Sequence, residues 1–375
     1  MLFKSVQLII LYLLLLITSS CIVQFIPRTN EDDEILVVEG LITDQPRTYT
    51  VRLSKSLPLW KSQYPQALKG AKVWISDDLG KTFNLKETKF GTYITDSVTF
   101  RGVVGRTYML NITTSNAVSD INYKSAPVEM KPVPPIDSIY YEKKTYDQWP
   151  QTVEGCQINL DTHDPAKNCK FFRWEYSETW EFHLPYNVTN KVCWISNNSD
   201  EIFIKNTSLL GEDRIAHYPL CTITNPIDRL CIKYSILVKQ YSLNEDEYCY
   251  WESLHNMSEK VGGLYDMIPA NIPSNIYCVE SPGEKVLGYF SVSAATTKRL
   301  FIKDTFKGVN TSYYNCISDT IFGTSPIPNL NSSVWLIVDH SNLDPPKRYI
   351  TNKIGCADCR ARGSAIEPSF WKEGK

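Results

Sequence analysis

From residue 35 onward, apolar and polar residues alternate in short runs broken by turn residues. The runs 35–43 and 49–53 flank the turn signal Asp44-Gln45-Pro46, and in the second run Tyr49, Val51 and Leu53 share one face with Thr50 and Arg52 opposite. After a loop over 56–68, the run 70–76 places Ala71, Val73 and Ile75 on one side. Asp77-Asp78-Leu79-Gly80 then turns the chain into 82–85, and strands over 91–95 and 106–112 follow. Short strands spaced by turns, with no helical period, predict an all-β sandwich over 35–130. The proline-rich stretch Lys131-Pro132-Val133-Pro134-Pro135 closes it, so 131–137 reads as a semi-rigid linker to a second domain over 138–371.

That second domain opens with strands over 138–142 and 156–160 and a turn over 161–165. The strongest strand signal of the chain comes next. Phe172, Trp174, Tyr176, Trp180 and Phe182 alternate with Arg173, Glu175, Ser177, Thr179, Glu181 and His183, and only Glu178 interrupts the apolar face. Such a stripe reads as a sandwich core, with a carbohydrate-stacking platform as the alternative, and Glu178 is the detail that favours a site. A loop-rich stretch over 193–231 and a strand over 234–241 follow.

One helix is predicted, over 245–260. Asn244 is placed to cap it, with Glu247 as the reciprocal partner of a capping box, and Gly262-Gly263 supplies its stop. Tyr248, Trp251, Leu254 and Ser258 fall near one stripe. Late strands are expected over 286–293, 299–302 and 335–338. The tail over 356–371 carries Cys356, Cys359, a glycine and two aromatics, a make-up that predicts pinning by disulfide and ring burial. The fold class is therefore mainly β, an N-terminal sandwich followed by a larger, disulfide-rich β-sandwich with one inserted helix.

Upstream of the strands the pattern changes. Lys4 precedes an apolar run over 8–17, then come Thr18, Ser19, Ser20 and Cys21. This is the layout of a secretory signal, and about 20 apolar residues would be needed for a span. A cysteine straight after the small residues marks a lipoprotein leader, so 1–20 is expected to be removed and Cys21 to carry lipid. Several acyl chains at about 0.8 kcal/mol per buried methylene would hold the chain to a membrane. Residues 21–34 then form a tether ending in an acidic cluster.

Composition sharpens two points. A net charge of −2 gives no electrostatic case for nucleic acid. Eleven cysteines are present, and setting Cys21 aside leaves an even set, all beyond residue 150: Cys156, Cys169, Cys193, Cys221, Cys231, Cys249, Cys278, Cys316, Cys356 and Cys359. In an exported chain this reads as a disulfide framework of unknown pairing. Cys356-Ala357-Asp358-Cys359 has a second reading as half of a zinc site or a redox pair.

Candidate chemistry is sparse. No phosphate-binding loop, nucleophile elbow, zinc-protease helix, calcium loop or dinucleotide fingerprint occurs, and no cofactor is implied. Glu181 and His183 share a strand face, and His163 lies close to Asp161 and Asp164. Either set could be drawn into catalysis or metal binding, but isolated polar residues on an outer strand face are the expected case. Asn-x-Ser/Thr sequons, among them Asn111, Asn187 and Asn331, match an Asn/Ser/Thr-rich chain behind a bacterial-type leader.

The run GAKVWISD, the DDLG turn, FGTY and GRTYMLNI resemble small prealbumin-like or carboxypeptidase-regulatory-like sandwiches. The SSC leader, LVVEGLITD with YTVRLS, KGAKVWISDDLGKTF, PPIDSIYYE, FFRWEY, Cys193-Trp194, YSILVKQYSLNEDEYCYWE, VLGYFSVS and the closing CADCRARG with PSFW occur in order. Together they resemble the Bacteroidota outer-membrane lipoproteins catalogued as domain of unknown function 4249. The resemblance implies a surface or periplasmic lipoprotein, commonly encoded beside a TonB-dependent outer-membrane receptor, and it brings no catalytic residues. Cys156, Cys169, Cys221, Cys231, Cys249, Cys278 and Cys316 look additional to that family's pattern, and Thr18 departs from the usual leader. The expected role is non-enzymatic capture or gating of a substrate for the receptor. A structural or adhesive surface role is the alternative, followed by glycan binding or hydrolysis through Glu178 or Glu181 with His183.

Overall fold

In the computed structural model, residues 34–56, 65–115, 119–148, 151–186, 188–224, 228–260, 272–308, 319–322, 336–340, 347–351 and 353–374 are described. The leader, Cys21 and Cys316 lie outside them. The period-two runs become strands β1 (Leu36–Ile42), β2 (Thr50–Lys55), β3 (Gln66–Ala67), β4 (Lys72–Asp77), β5 (Thr82–Asn84), β6 (Lys86–Lys89), β7 (Thr92–Ile94), β8 (Thr107–Ser115), β9 (Asp120–Ser125) and β10 (Val128–Glu129). The long strands β11 (Ile136–Gln148), β12 (Gln151–His163) and β13 (Phe171–His183) follow, then β14 (Val192–Asn198), β15 (Phe203–Asn206), β16 (Arg214–Ile223) and β17 (Lys233–Leu243). Helix α1 (Glu245–Lys260) leads to β18 (Ile276–Cys278), β19 (Val286–Val292) and β20 (Ala295–Ile302). A small sheet of β21 (Asp319–Phe322), β22 (Leu336–His340) and β23 (Lys347–Thr351) precedes the short helix α2 (Ile354–Ala357).

Two sheets, β19-β1-β2-β7-β6 and β18-β9-β8-β4-β5, make the first sandwich. Val38, Val51, Leu53, Val73, Ile75, Leu110 and Ile112 bury its inner faces, as the alternation required. Its boundary differs from the one the proline-rich stretch predicted. β19 pairs in parallel with β1 from Leu36 opposite Val286 to Ile42 opposite Val292, and β18 pairs with β9. The chain thus returns from the second sandwich to finish the first. Phe290 and Val292 are buried in the first core and contribute about 1.5–3 kcal/mol each. A parallel pairing needs a long crossover, here the whole second sandwich, which is why local pattern placed 286–293 in the wrong unit.

The second sandwich packs β11-β12-β16 against β14-β13-β17-β20. The stripe on β13 is core, with Phe172, Trp174 and Phe182 fully buried. The stretch over 193–231 holds three strands rather than loop. β16 escaped the pattern because its register against β12 shifts twice and His217 adopts φ +53°, so its side chains do not alternate cleanly. The proline-rich connection is also fixed in place. Gln240, fully buried, accepts from Trp174 Nε1 (2.8 Å) and donates to the Pro134 carbonyl (2.8 Å) and Thr162 Oγ1 (3.1 Å). Ser242 Oγ donates to the Lys131 carbonyl.

Helix α1 forms where the sequence placed it. Asn244 Oδ1 accepts from the Glu247 amide at 2.7 Å. The reciprocal half of the capping box does not form. Glu247 turns inward, is fully buried, and accepts from Trp251 Nε1 and Ser293 Oγ. No helix among the described residues is long and apolar enough to cross a membrane.

The disulfide framework is smaller than the cysteine count implied. Cys193 is bonded to Cys359, and Cys356 is also disulfide-bonded. Cys156, Cys169, Cys221, Cys231, Cys249 and Cys278 are thiols. Cys156 and Cys221 sit on neighbouring strands, but Cys156 faces Ile223 and Cys221 faces Ile158, so the two are diagonal and not opposite. Cys156, Cys169 and Cys278 are buried as small apolar residues. Burial pushes the Cys156 and Cys221 thiols up to about 12 and Cys231 up to about 11, which keeps them unreactive. With both its cysteines in disulfides, the Cys356/Cys359 pair is neither a zinc half-site nor an internal redox couple.

Candidate functional site

Strand β13 separates the acids that the sequence singled out. Even-numbered side chains face the core and odd-numbered ones face outward. Glu178 therefore points inward, where it accepts from Tyr234 Oη at 2.9 Å and meets the Arg229 guanidinium at 3.3 Å. Burial drives the Tyr234 phenol well above its ordinary range, so it stays a donor to that carboxylate. Glu181 points outward, and His183 Nε2 lies 2.6 Å from its Oε1. The structure brings together Glu181 and His183 and leaves Glu178 on the far face of the strand. His163 bonds Asp137 at 2.6 Å, while Asp161 accepts from Ser138 and the His217 amide. Asp164 caps the backbone of Ala166, Asn168 and Cys169. Among the described residues no group of three His, Cys, Asp or Glu side chains could hold a metal ion.

The outer face of this sheet is covered twice. Near Arg173, helix α1 lies across it, with the guanidinium 4.1 Å from the Trp251 ring centroid. Near Glu181, the C-terminal tail does the covering. Cys359 ties the tail to β14, the Cys359 amide donates to the Asn190 carbonyl, and Trp194 and Ser364 exchange two backbone hydrogen bonds of 2.9 Å. Gly363 permits that approach, since a Cβ there would stand 2.4 Å from the Trp194 carbonyl oxygen. Arg362 pairs with buried Asp228 at 3.0 Å and lies over the Phe182 ring.

Trp371 ends this strap. It is 2% exposed, and its Nε1 donates to Glu181 Oε2 at 3.0 Å. Lys233 Nζ donates to the Trp371 carbonyl at 2.7 Å and sits between two rings, 4.6 Å from Phe301 and 4.8 Å from Trp371. Arg299 stacks on Phe370 at 3.6 Å.

Between strap and sheet lies a cavity of about 300 Å³. Glu181, Trp194, Ile232, Lys233 and Lys303, which follows β20, form the sheet side, and Glu367 and Trp371 of the strap the other. Trp194 Nε1 is buried without a hydrogen-bond partner among the described residues. Glu367 and Lys303 likewise engage no hydrogen-bond or ion-pair partner there. Of this set Glu181 carried a sequence signal through its place on β13, Trp194 through the Cys193-Trp194 pair and Trp371 through the aromatic tail. The convergence itself joins residues far apart in the chain, which no local pattern reveals.

The fold and cavity define a mainly-β protein with two interlocked sandwiches and a small cavity bordered by its own C-terminal segment. Within that class the chain belongs to the DUF4249 family, described as a domain of unknown function, whose profile matches residues 23–299. No curated protein matches the chain. Lys303, Glu367 and Trp371 fall beyond the matched segment.

Proposed function

We propose that this protein is a non-enzymatic lipoprotein, held to the outer membrane through lipid on Cys21, that captures or gates a substrate for a TonB-dependent receptor. The leader over 1–20 and membership of the family support the address. One observation supports a binding role over a catalytic one. The two acids that the hydrolytic reading relied on are engaged in structural bonds, Glu178 with Tyr234 and Arg229, and Glu181 with Trp371 and His183. The cavity beside them keeps an unengaged indole N–H, a carboxylate and an ammonium. Six free thiols weaken the structural or adhesive alternative, which leaned on disulfide density.

The address is tested by fractionation and mass analysis of the mature chain. A diacylated Cys21 at the N-terminus, and loss of membrane association in Cys21→Ala, are the expected results. An unmodified Cys21 thiol in the mature chain contradicts the assignment.

A further inference from the structure

We propose that the cavity between the C-terminal strap and the outer sheet binds a neutral pyranose sugar. This rests on the capture role above and names the substrate class for it.

Charge restricts the ligand first. The lining holds two carboxylates, Glu181 and Glu367, and two ammonium groups, Lys233 and Lys303. A net-neutral site offers no surplus charge to offset the desolvation of an anion or a cation. Phosphorylated, polyanionic and polycationic ligands are disfavoured on that ground.

Hydrogen bonding restricts it further. Trp194 Nε1 is a buried donor without an acceptor among the described residues, an arrangement that costs stability until an acceptor answers it. Glu367 offers acceptors and Lys303 donors, and the two do not pair with each other. A hydroxyl both donates and accepts, so a ring of hydroxyls can answer an N–H, a carboxylate and an ammonium together.

Shape completes the argument. Two indoles and Ile232 give apolar contact for the C–H face of a sugar ring. About 300 Å³ lies at the small end of ligand pockets, which run from about 300 to 1,000 Å³. That volume suits one ring, either a free monosaccharide or the end of a longer glycan.

The test is calorimetric titration of the mature chain with glucose, galactose, mannose and N-acetylglucosamine, and in parallel with free amino acids and inorganic phosphate. Saturable binding of at least one sugar at millimolar concentration or below is expected. Trp194→Phe, which keeps an aromatic ring but removes the indole N–H, and Glu367→Gln should each weaken it about tenfold. Arg52→Ala, on the exposed face of the first sandwich, should leave it unchanged. Saturation by none of the sugars, saturation by amino acids or phosphate alone, or undiminished binding in both cavity variants overturns the assignment. Receptor association is read separately by co-purification, so failure here leaves that result standing.

Discussion

Cys193 in β14 and Cys359 in the C-terminal strap are joined by a disulfide that spans 166 residues of sequence. The bond fixes the strap at the point where it turns toward Glu181. The Trp194–Ser364 backbone pairing and the burial of Trp371 follow it in the tail, where the Arg362–Asp228 pair and the Lys233 bond to the Trp371 carbonyl add further contacts.

Removing the anchor should loosen the strap before it unfolds the sandwiches. Closing a loop of this length accounts for about 5 kcal/mol in the chain-entropy account of disulfide stabilisation. Cys359→Ser is expected to lower stability by about 2–5 kcal/mol in urea unfolding. Limited proteolysis should then cut within 353–374 while the segment before residue 302 stays intact. A tail as protected as in the parent chain would contradict the strap's dependence on this bond.

The parallel pairing of β19 with β1 rests on Gly288. Its φ is +91°, and a Cβ would stand 2.0 Å from the Val38 carbonyl oxygen, a backbone atom with no room to yield. Gly288→Ala should therefore cost about 3 kcal/mol or more. Gly211→Ala, where a Cβ meets nothing within 4 Å, serves as the neutral comparison. Equal denaturation midpoints for the two variants would argue that the first sandwich does not need the returning strand.

Burial pushes the Glu247 carboxyl above its ordinary value, against smaller opposing effects from Ser291, Arg173, Trp251 and Ser293. A raised folded-state pKa means that the folded chain holds this proton more tightly than the unfolded chain. Its contribution to stability is full below the ordinary glutamate range and is lost as pH rises through the raised value. Glu247→Gln keeps a carbonyl acceptor for Trp251 Nε1, puts an amide N–H that can donate to Ser293 Oγ in place of the second carboxylate oxygen, and removes the ionisation. The variant should gain on the parent as pH rises from 4 to 7, read as the difference in melting temperature across that range. A constant difference would mean that Glu247 ionises as freely in the folded state as in the unfolded one.

How much of this was legible in the sequence varies by element. β13 and α1 were readable because their signals are local, eleven residues of alternation in one and an Asn244 cap in the other. β16 was not, because a bulge at His217 breaks the period that marks a strand. The return of β18 and β19 to the first sandwich, the inward turn of Glu247 and the pairing of Cys193 with Cys359 depend on long-range packing. Cysteine parity suggested a full framework, yet most of the thiols in the described residues are kept apart by strand register and burial. For the site, the Glu181–His183 contact followed from two-residue spacing on a strand, while the cavity needed the tail in place.

Lipid on Cys21, as proposed, would hold this chain at the outer membrane beside a TonB-dependent barrel. The most direct measurement is affinity purification of the native chain from outer membranes solubilised in mild detergent, followed by identification of the proteins recovered with it. One β-barrel receptor in comparable amount is expected, and it should be lost when Cys21→Ala releases the chain from the membrane. Recovery of the chain from the membrane without any barrel, or from the soluble fraction with a free Cys21 thiol, would contradict it.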